Sequence, residues 1–281
     1  MEYKKKLNNF ISIIKSASYK TLEHDGVEHA GYMSFMLLLS LFPFLATFIV
    51  ITNWLGMSET GKKFLLLIYN HLSTSSTNAI KDPIENLILL PPQKLTTIFL
   101  IGYVWTSSSF IEGIRTILNK AHQVENPPKY LIRRILSLVQ FFIITIILII
   151  ILLAFFFIPK LFLKTNFYKI FLYFIKFNKK IRYITLEFIL FIISLFLYYL
   201  IPNKKMQIRK TIPGAIFTSI FWLISVMSFS KYIIYYNQVS KIYGSLGSII
   251  LTLILFYIIN IIFIYGAEIN SSIEQKKINY Q

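Results

Sequence analysis

The chain of 281 residues contains no cysteine. A disulfide framework and a thiolate metal site are therefore excluded, and the redox compartment stays open. Charge is scarce. Asp, Glu, Lys and Arg make up 15% of residues, against about 25% in ordinary soluble domains. Acids are the scarcer sign, 12 against 29 Lys and Arg, which gives a formal net charge of +17. No HExxH, GxSxG, P-loop or GxGxxG pattern occurs, so the common signatures of zinc proteases, serine hydrolases and nucleotide-binding proteins are missing. No polar stretch exceeds about forty residues, which leaves no room for a separate globular domain. No internal repeat is evident.

What is present is apolar. Hydrophobic residues make up 56% and aromatics 17% of the chain, and the mean hydropathy is +0.63. These residues cluster into long runs, the pattern of an all-α polytopic membrane protein. A helix rises about 1.5 Å per residue, so about 20 residues cross the hydrocarbon. Six runs are long enough, near 31–52, 95–118, 136–158, 184–201, 212–232 and 244–269. They divide the chain into an N-terminal segment 1–30, a transmembrane domain 31–270 and a tail 271–281.

The opening stretch MEYKKKLNNFISIIKSASYK is basic but has no continuous apolar core and no small-residue cleavage site. It does not read as a cleaved signal peptide. Leu7, Phe10, Ile11, Ile14 and Ala17 recur at helical spacing, which predicts an amphipathic helix lying on the membrane surface. Orientation rests on loop cations. The totals on the two sides barely differ, but Lys204, Lys205, Arg209 and Lys210 crowd beside two membrane ends. Both termini are therefore expected in the cytoplasm. The segment 159–183 carries seven cations on the opposite side. Lys169, Lys176 and Lys180 share one helical face there, so a surface helix and a solvated basic loop both remain open.

Polar residues inside the runs are the candidates for function. The first run, FMLLLSLFPFLATFIV, holds Ser40 and Pro43. Pro43 has no N–H, so the Leu39 carbonyl loses its helical donor, and in lipid such a group must find another partner. Ser40 is placed to help. A kink lining a cavity or hinge and a static kink are both open. In the second run Gly102, Thr106, Ser109 and Gly113 follow i, i+4, i+7, i+11, one face of small residues suited to close helix packing. Gly244, Ser245 and Gly247 open the last run, as close packing or as a flexible entry turn. Glu112, Arg115, Glu187 and Glu268 are charges within the runs, where they are costly and point to function. Arg115 and Glu268 lie at one depth and are expected to pair across the bundle; Arg115 with Glu112 at i, i+3 is the alternative. HDGVEH, from His24 to His29, reads as a solvated helix end rather than a metal cluster.

Three stretches together resemble one family. They are HAGYMSFMLLLSLFPFLATF, VWTSSSFIEGIRTILNKAHQVE with its Leu118–Asn119 pair, and YGSLGSIILTLILFYIINIIFIYGAEIN. LYYLIPN and IPGAIF agree with them in order and spacing. The chain is similar over about residues 20–272 to the YihY/BrkB family of bacterial inner-membrane proteins, once labelled ribonuclease BN. It departs from the family in HAGYMSF and at Glu112. The resemblance implies six helices with both termini cytoplasmic, a multi-pass protein of the bacterial inner membrane, and no agreed activity.

Three classes of function follow. A transporter or translocase is favoured by the kinked run and the buried ionisable groups. A structural or interaction protein of the envelope needs only packing faces and basic loops. A ribonuclease needs metal-binding carboxylates or a positioned acid–base pair, and the scattered acids offer no convincing site, so no enzyme activity is expected. No cofactor, metal or nucleic acid is expected. The juxtamembrane cations suit anionic lipid headgroups instead.

Overall fold

The computed structural model describes residues 2–54, 96–161, 179–235 and 246–278. Regular structure among the described residues is entirely helical. The helices are α1 (Glu2–Glu23), α2 (Gly26–Trp54), α3 (Thr96–Ala121), α4 (Tyr130–Leu161), α5 (Lys179–Leu200), α6 (Ile208–Tyr235) and α7 (Leu246–Ile278).

Local chemistry sets the breaks. Asp25 adopts φ 58°, the left-handed turn that Asp tolerates better than most residues, and its N–H bonds to the Leu22 carbonyl at 3.2 Å. Two residues therefore separate α1 from α2. Gln123 adopts φ 50° after α3. Its N–H reaches Lys120 O and that of Val124 reaches Asn119 O, both at 3.0 Å, which satisfies two end carbonyls. Pro127 and Pro128 then hold the chain out of helix until α4 begins.

α7 is the hub of the bundle and touches α1, α2, α3 and α6. α2 also packs on α3, α3 on α4, and α5 on α6. The apolar core between them holds Met33, Ile117, Leu118, Tyr198, Phe263 and Ile264. α6 and α7 cross where neither has room for a side chain. A Cβ on Gly214 would fall on the Gly266 carbonyl oxygen, and one on Gly266 would fall on the Thr218 and Tyr198 hydroxyls. Small residues allow such approach where lipid gives no hydrophobic drive between helices. Pro213 interrupts the first turns of α6. Asn270 on α7 accepts from the Gly214 N–H at 2.7 Å and donates to Thr211 O at 3.2 Å. It thereby binds the backbone on both sides of the proline.

Outward faces are apolar: Leu131, Ile135 and Phe142 on α4, and Ile184, Phe188 and Phe196 on α5. Surfaces of this kind suit lipid rather than water. Among the described residues, four helices carry stretches long and apolar enough to cross a membrane, Tyr130–Ile147, Tyr183–Leu200, Ile208–Tyr232 and Ile249–Gln275. The chain is thus a helical membrane protein.

α1 uses part of its apolar spacing against protein: Ala17 and Thr21 are buried, while Ile11, Tyr19 and Leu22 face outward. Polar contacts along α7 set that orientation. The Tyr265 hydroxyl donates to Ile14 O at 3.1 Å, and Ser272 Oγ donates to Ser16 Oγ at 3.1 Å. The Lys20 ammonium donates to Gln275. These bonds turn the Ala17 face onto protein. Together with Lys120–Asp25, Asn119–Asn203 and Lys210–Glu274 contacts, they gather four segments at one end of the bundle, the basic end.

Candidate functional site

The basic end is built around buried ions. Arg115, on the last turns of α3, is 1% exposed. Its Nε donates to Ser137 Oγ at 3.3 Å, its Nη1 to Ile201 O at 3.1 Å and its Nη2 to Gln140 Oε1. Gln140 in turn donates to Leu200 O at 3.0 Å. One guanidinium thus ties α3 and α4 to the corner between α5 and α6. Its charge is met by Glu112, whose Oε2 lies 3.4 Å from Nε and accepts from Ser137 Oγ at 2.7 Å. Glu112 Oε1 faces Arg133 Nε at 3.4 Å. One buried carboxylate is therefore held between two guanidinium groups.

Beside this network lies a groove of about 350 Å³, lined by Glu28, His29, Tyr32, Glu112, Gly113 and Thr116. It runs between α2 and α3. Gly113 shapes its wall, since a Cβ there would sit 3.0 Å from the Tyr32 ring. Arg134 closes the neighbouring side. It stacks 4.6 Å from the Trp105 ring centroid and donates to Ser109 Oγ at 3.1 Å.

A second set of ions runs along α7. Glu268 is fully buried, and its Oε1 lies 2.7 Å from His24 Nδ1 on the α1–α2 turn. Six residues on, Glu274 faces His122 at 3.5 Å, Lys204 at 3.4 Å and Lys210 at 3.3 Å. His122 is 3% exposed. Outside the spanning segments, burial lowers the Lys20 ammonium from its ordinary value, and the hydrogen bond from Lys120 lowers the Asp25 carboxyl.

The sequence candidates fall in several places. Arg115 takes Glu112 as partner and not Glu268, because Glu268 is turned to the α1 side of α7, where His24 meets it. Asn119 is a latch: its Nδ2 donates to Asn203 Oδ1 at 2.9 Å and its Oδ1 accepts from the Asn203 N–H at 2.8 Å. Ser40 is buried but donates to Leu37 O at 2.8 Å, so the compensation expected at Leu39 is not what its hydroxyl provides. Pro43 lies within α2, and its side chain is outside the described residues. The small face of α3 is used at one end only. Gly113 packs on Tyr32 and Met33, whereas nothing among the described residues lies within 4 Å of a Cβ on Gly102. Ser109 serves Arg134 and donates to Trp105 O at 2.8 Å. Gly247 is buried; Gly244 and Ser245 lie outside the described residues, as do residues 162–178 of the lysine-rich segment. HDGVEH does not converge on one point, since His24 turns to Glu268, Asp25 to Lys120 at 2.8 Å and His29 to its own Asp25 O at 3.0 Å. Glu187 accepts from Ser219 Oγ at 2.7 Å.

Sequence reasoning missed His122, Glu274, Ser137 and Gln140. A polar residue on α4 every third position, Arg134, Ser137 and Gln140, was the available signal for the latter two. The position of His122, just past a helix end, offered none.

Comparison with known proteins gives the family. The Virulence factor BrkB family matches residues 17–281, and the chain belongs to it. The ribonuclease-like protein YfkH of Bacillus subtilis (strain 168) is 29% identical over 268 residues, covering 95% of this chain and 97% of the relative. A UPF0761 membrane protein of Actinobacillus pleuropneumoniae serotype 5b (strain L20) is 22% identical, over 89% of each chain. The UPF0761 membrane protein VSAL_I2938 of Aliivibrio salmonicida (strain LFI1238) is 26% identical over 87% of this chain and 77% of its own. No solved structure matches.

Proposed function

With membership of the BrkB family as the premise, we propose a transporter-like protein of the bacterial inner membrane with six spans and both termini in the cytoplasm. The gathering of residues near 25, 120, 203 and 274 at one basic end supports this topology, because an even number of crossings separates each from the next. Basic segments favour the cytoplasmic face and its anionic headgroups.

The observation that carries the transporter-like reading is the buried ionisable set, Glu112, Arg115, Glu268, Glu274 and His122, of which Glu112 lines a groove of about 350 Å³. Ionisable groups inside a membrane bundle are expensive and mark paths for ions or substrates. Flux in proteoliposomes against a panel of ions, solutes and lipids tests it. Transport of at least one member, weakened by Glu112→Gln, is the expected result. Absence of flux for the whole panel would transfer the case to a structural role in the envelope. One observation favours that second reading: every nitrogen of Arg115 is engaged within the protein, as in a latch. We do not carry the ribonuclease-like name of the Bacillus relative over to this chain: Glu268 is fully buried, and Glu112 and Glu274 each answer to a different group of cations.

A further inference from the structure

Glu112 has a guanidinium on each side, and Glu274 has Lys204, Lys210 and His122, whose Nδ1 lies 3.5 Å from its Oε2. Glu268 Oε2 and His122 Nε2 have no hydrogen-bond partner among the described residues, and both residues are more than nine-tenths buried. Buried polar atoms are rarely left so, and unpaired ones point to a ligand or to chemistry.

The two lie on one seam. Ser271 on α7 donates to Ala121 O, which sets residue 122 between Glu268, three residues before Ser271, and Glu274, three after it. Glu268 is in turn joined to His24, whose side chain is 16% exposed and so reaches water. The charged groups facing the seam are Lys20 and His24 from α1 and its turn, Lys204 and Lys210 from the α5–α6 corner, and Glu274 from α7 itself. Lys20 donates to Gln275, and the other two lysines are matched to Glu274.

We propose that His122 and Glu268 form an internal proton-accepting site that fills from the basic end through His24. Water gives a proton to His24 Nε2, and His24 Nδ1 gives one to Glu268 Oε1. The protonated Glu268 carboxyl then turns, so that the same proton faces the other side, and passes it through one water to His122 Nε2, which returns Glu268 to the carboxylate. The net change is one proton gained by the His122 imidazole, which comes to rest between two carboxylates. Imidazole is the side chain suited to this exchange near neutral pH. In the transporter-like reading such a site couples flux to protons, and the inference rests on that reading for its purpose but not for its chemistry.

The test uses the full chain in nanodiscs, with ¹⁵N-labelled histidine followed by NMR between about pH 5 and 8. The His122 signals should change from neutral to doubly protonated, and Glu268→Gln should lower the midpoint, as loss of a neighbouring carboxylate requires. His24→Ala should slow proton exchange at His122 and leave the midpoint nearer its original place. A His122 that stays neutral across the range, or one whose midpoint ignores Glu268→Gln, overturns the site. If Glu268→Gln does not fold, infrared difference spectra of the unmodified protein decide. A carboxylic-acid carbonyl band that rises and falls with histidine protonation supports the relay, and its absence refutes it. Proton exchange without flux would uphold this site and reject the transporter-like reading.

Discussion

Arg115 Nε stands 3.4 Å from Glu112 Oε2, one turn back on the same helix, with both side chains almost shut from solvent. Neither charge is affordable alone at this depth, so removal of one strands the other. Arg115→Gln and Glu112→Gln should each cost about 3–5 kcal/mol, and the double variant less than their sum. Arg115→Gln with Glu268→Gln should be additive within about 0.5 kcal/mol. Unfolding in detergent, followed for the three single and two double variants beside the unmodified protein, checks both; strong coupling of Arg115 to Glu268 would contradict the observed pairing.

Two glycines of α3 should behave differently. A side chain at Gly113 meets the Tyr32 ring and Met33, whereas one at Gly102 meets nothing within 4 Å among the described residues. Gly113→Leu should destabilise by about 1–3 kcal/mol through overpacking, and Gly102→Leu should be nearly neutral. Thermal melts of the pair would decide the matter, and equal losses would remove the packing argument for α3.

The α6–α7 crossing makes a sharper demand. Gly214→Ala places a methyl against backbone, which cannot rotate away. We expect loss of folded protein on expression, whereas Ala215→Gly, one residue along, should remain expressible at a cost of about 1 kcal/mol. Normal yield and melting of Gly214→Ala would show that the helices can separate there.

At the α1–α2 turn, Lys120 holds the Asp25 carboxyl below its usual range, chiefly by its hydrogen bond. A lowered folded value means that this contribution is present above the unfolded carboxylate range of about 3.9 and is lost as pH falls through the folded value. Carbon NMR of Asp25 should show titration below that range, and Lys120→Ala should return it upward. Asp25→Asn should be milder than Asp25→Val, because Asn tolerates the φ of 58° and Val does not.

Topology has its own test. A reporter active only in the cytoplasm should give signal after residues 126 and 206 and none after 75 or 172. Signal at 172 would overturn the crossings by α4 and α5 and leave the cations of 159–183 on the cytoplasmic side.

The sequence by itself determined the class of the protein. Long apolar runs can satisfy their backbone in lipid only as helices, so the helices and their approximate ends were legible. The order of motifs determined the family and marked Asn119, and Glu112, Arg115 and Glu268 were marked because charge is costly where they stand. Partners were not legible. The sequence favoured Glu268 as the partner of Arg115 with Glu112 as the alternative, and only the rotation of α7 about its axis chose between them. His122 and Glu274 lie 152 positions apart in the chain, and no local pattern links them. The amphipathic spacing of α1 was readable, but the Tyr265 and Ser272 hydroxyls of α7 decided that Ala17 should face protein. Periodicity reports that a face exists; what it meets is fixed by helix rotation and crossing, which are properties of the whole bundle.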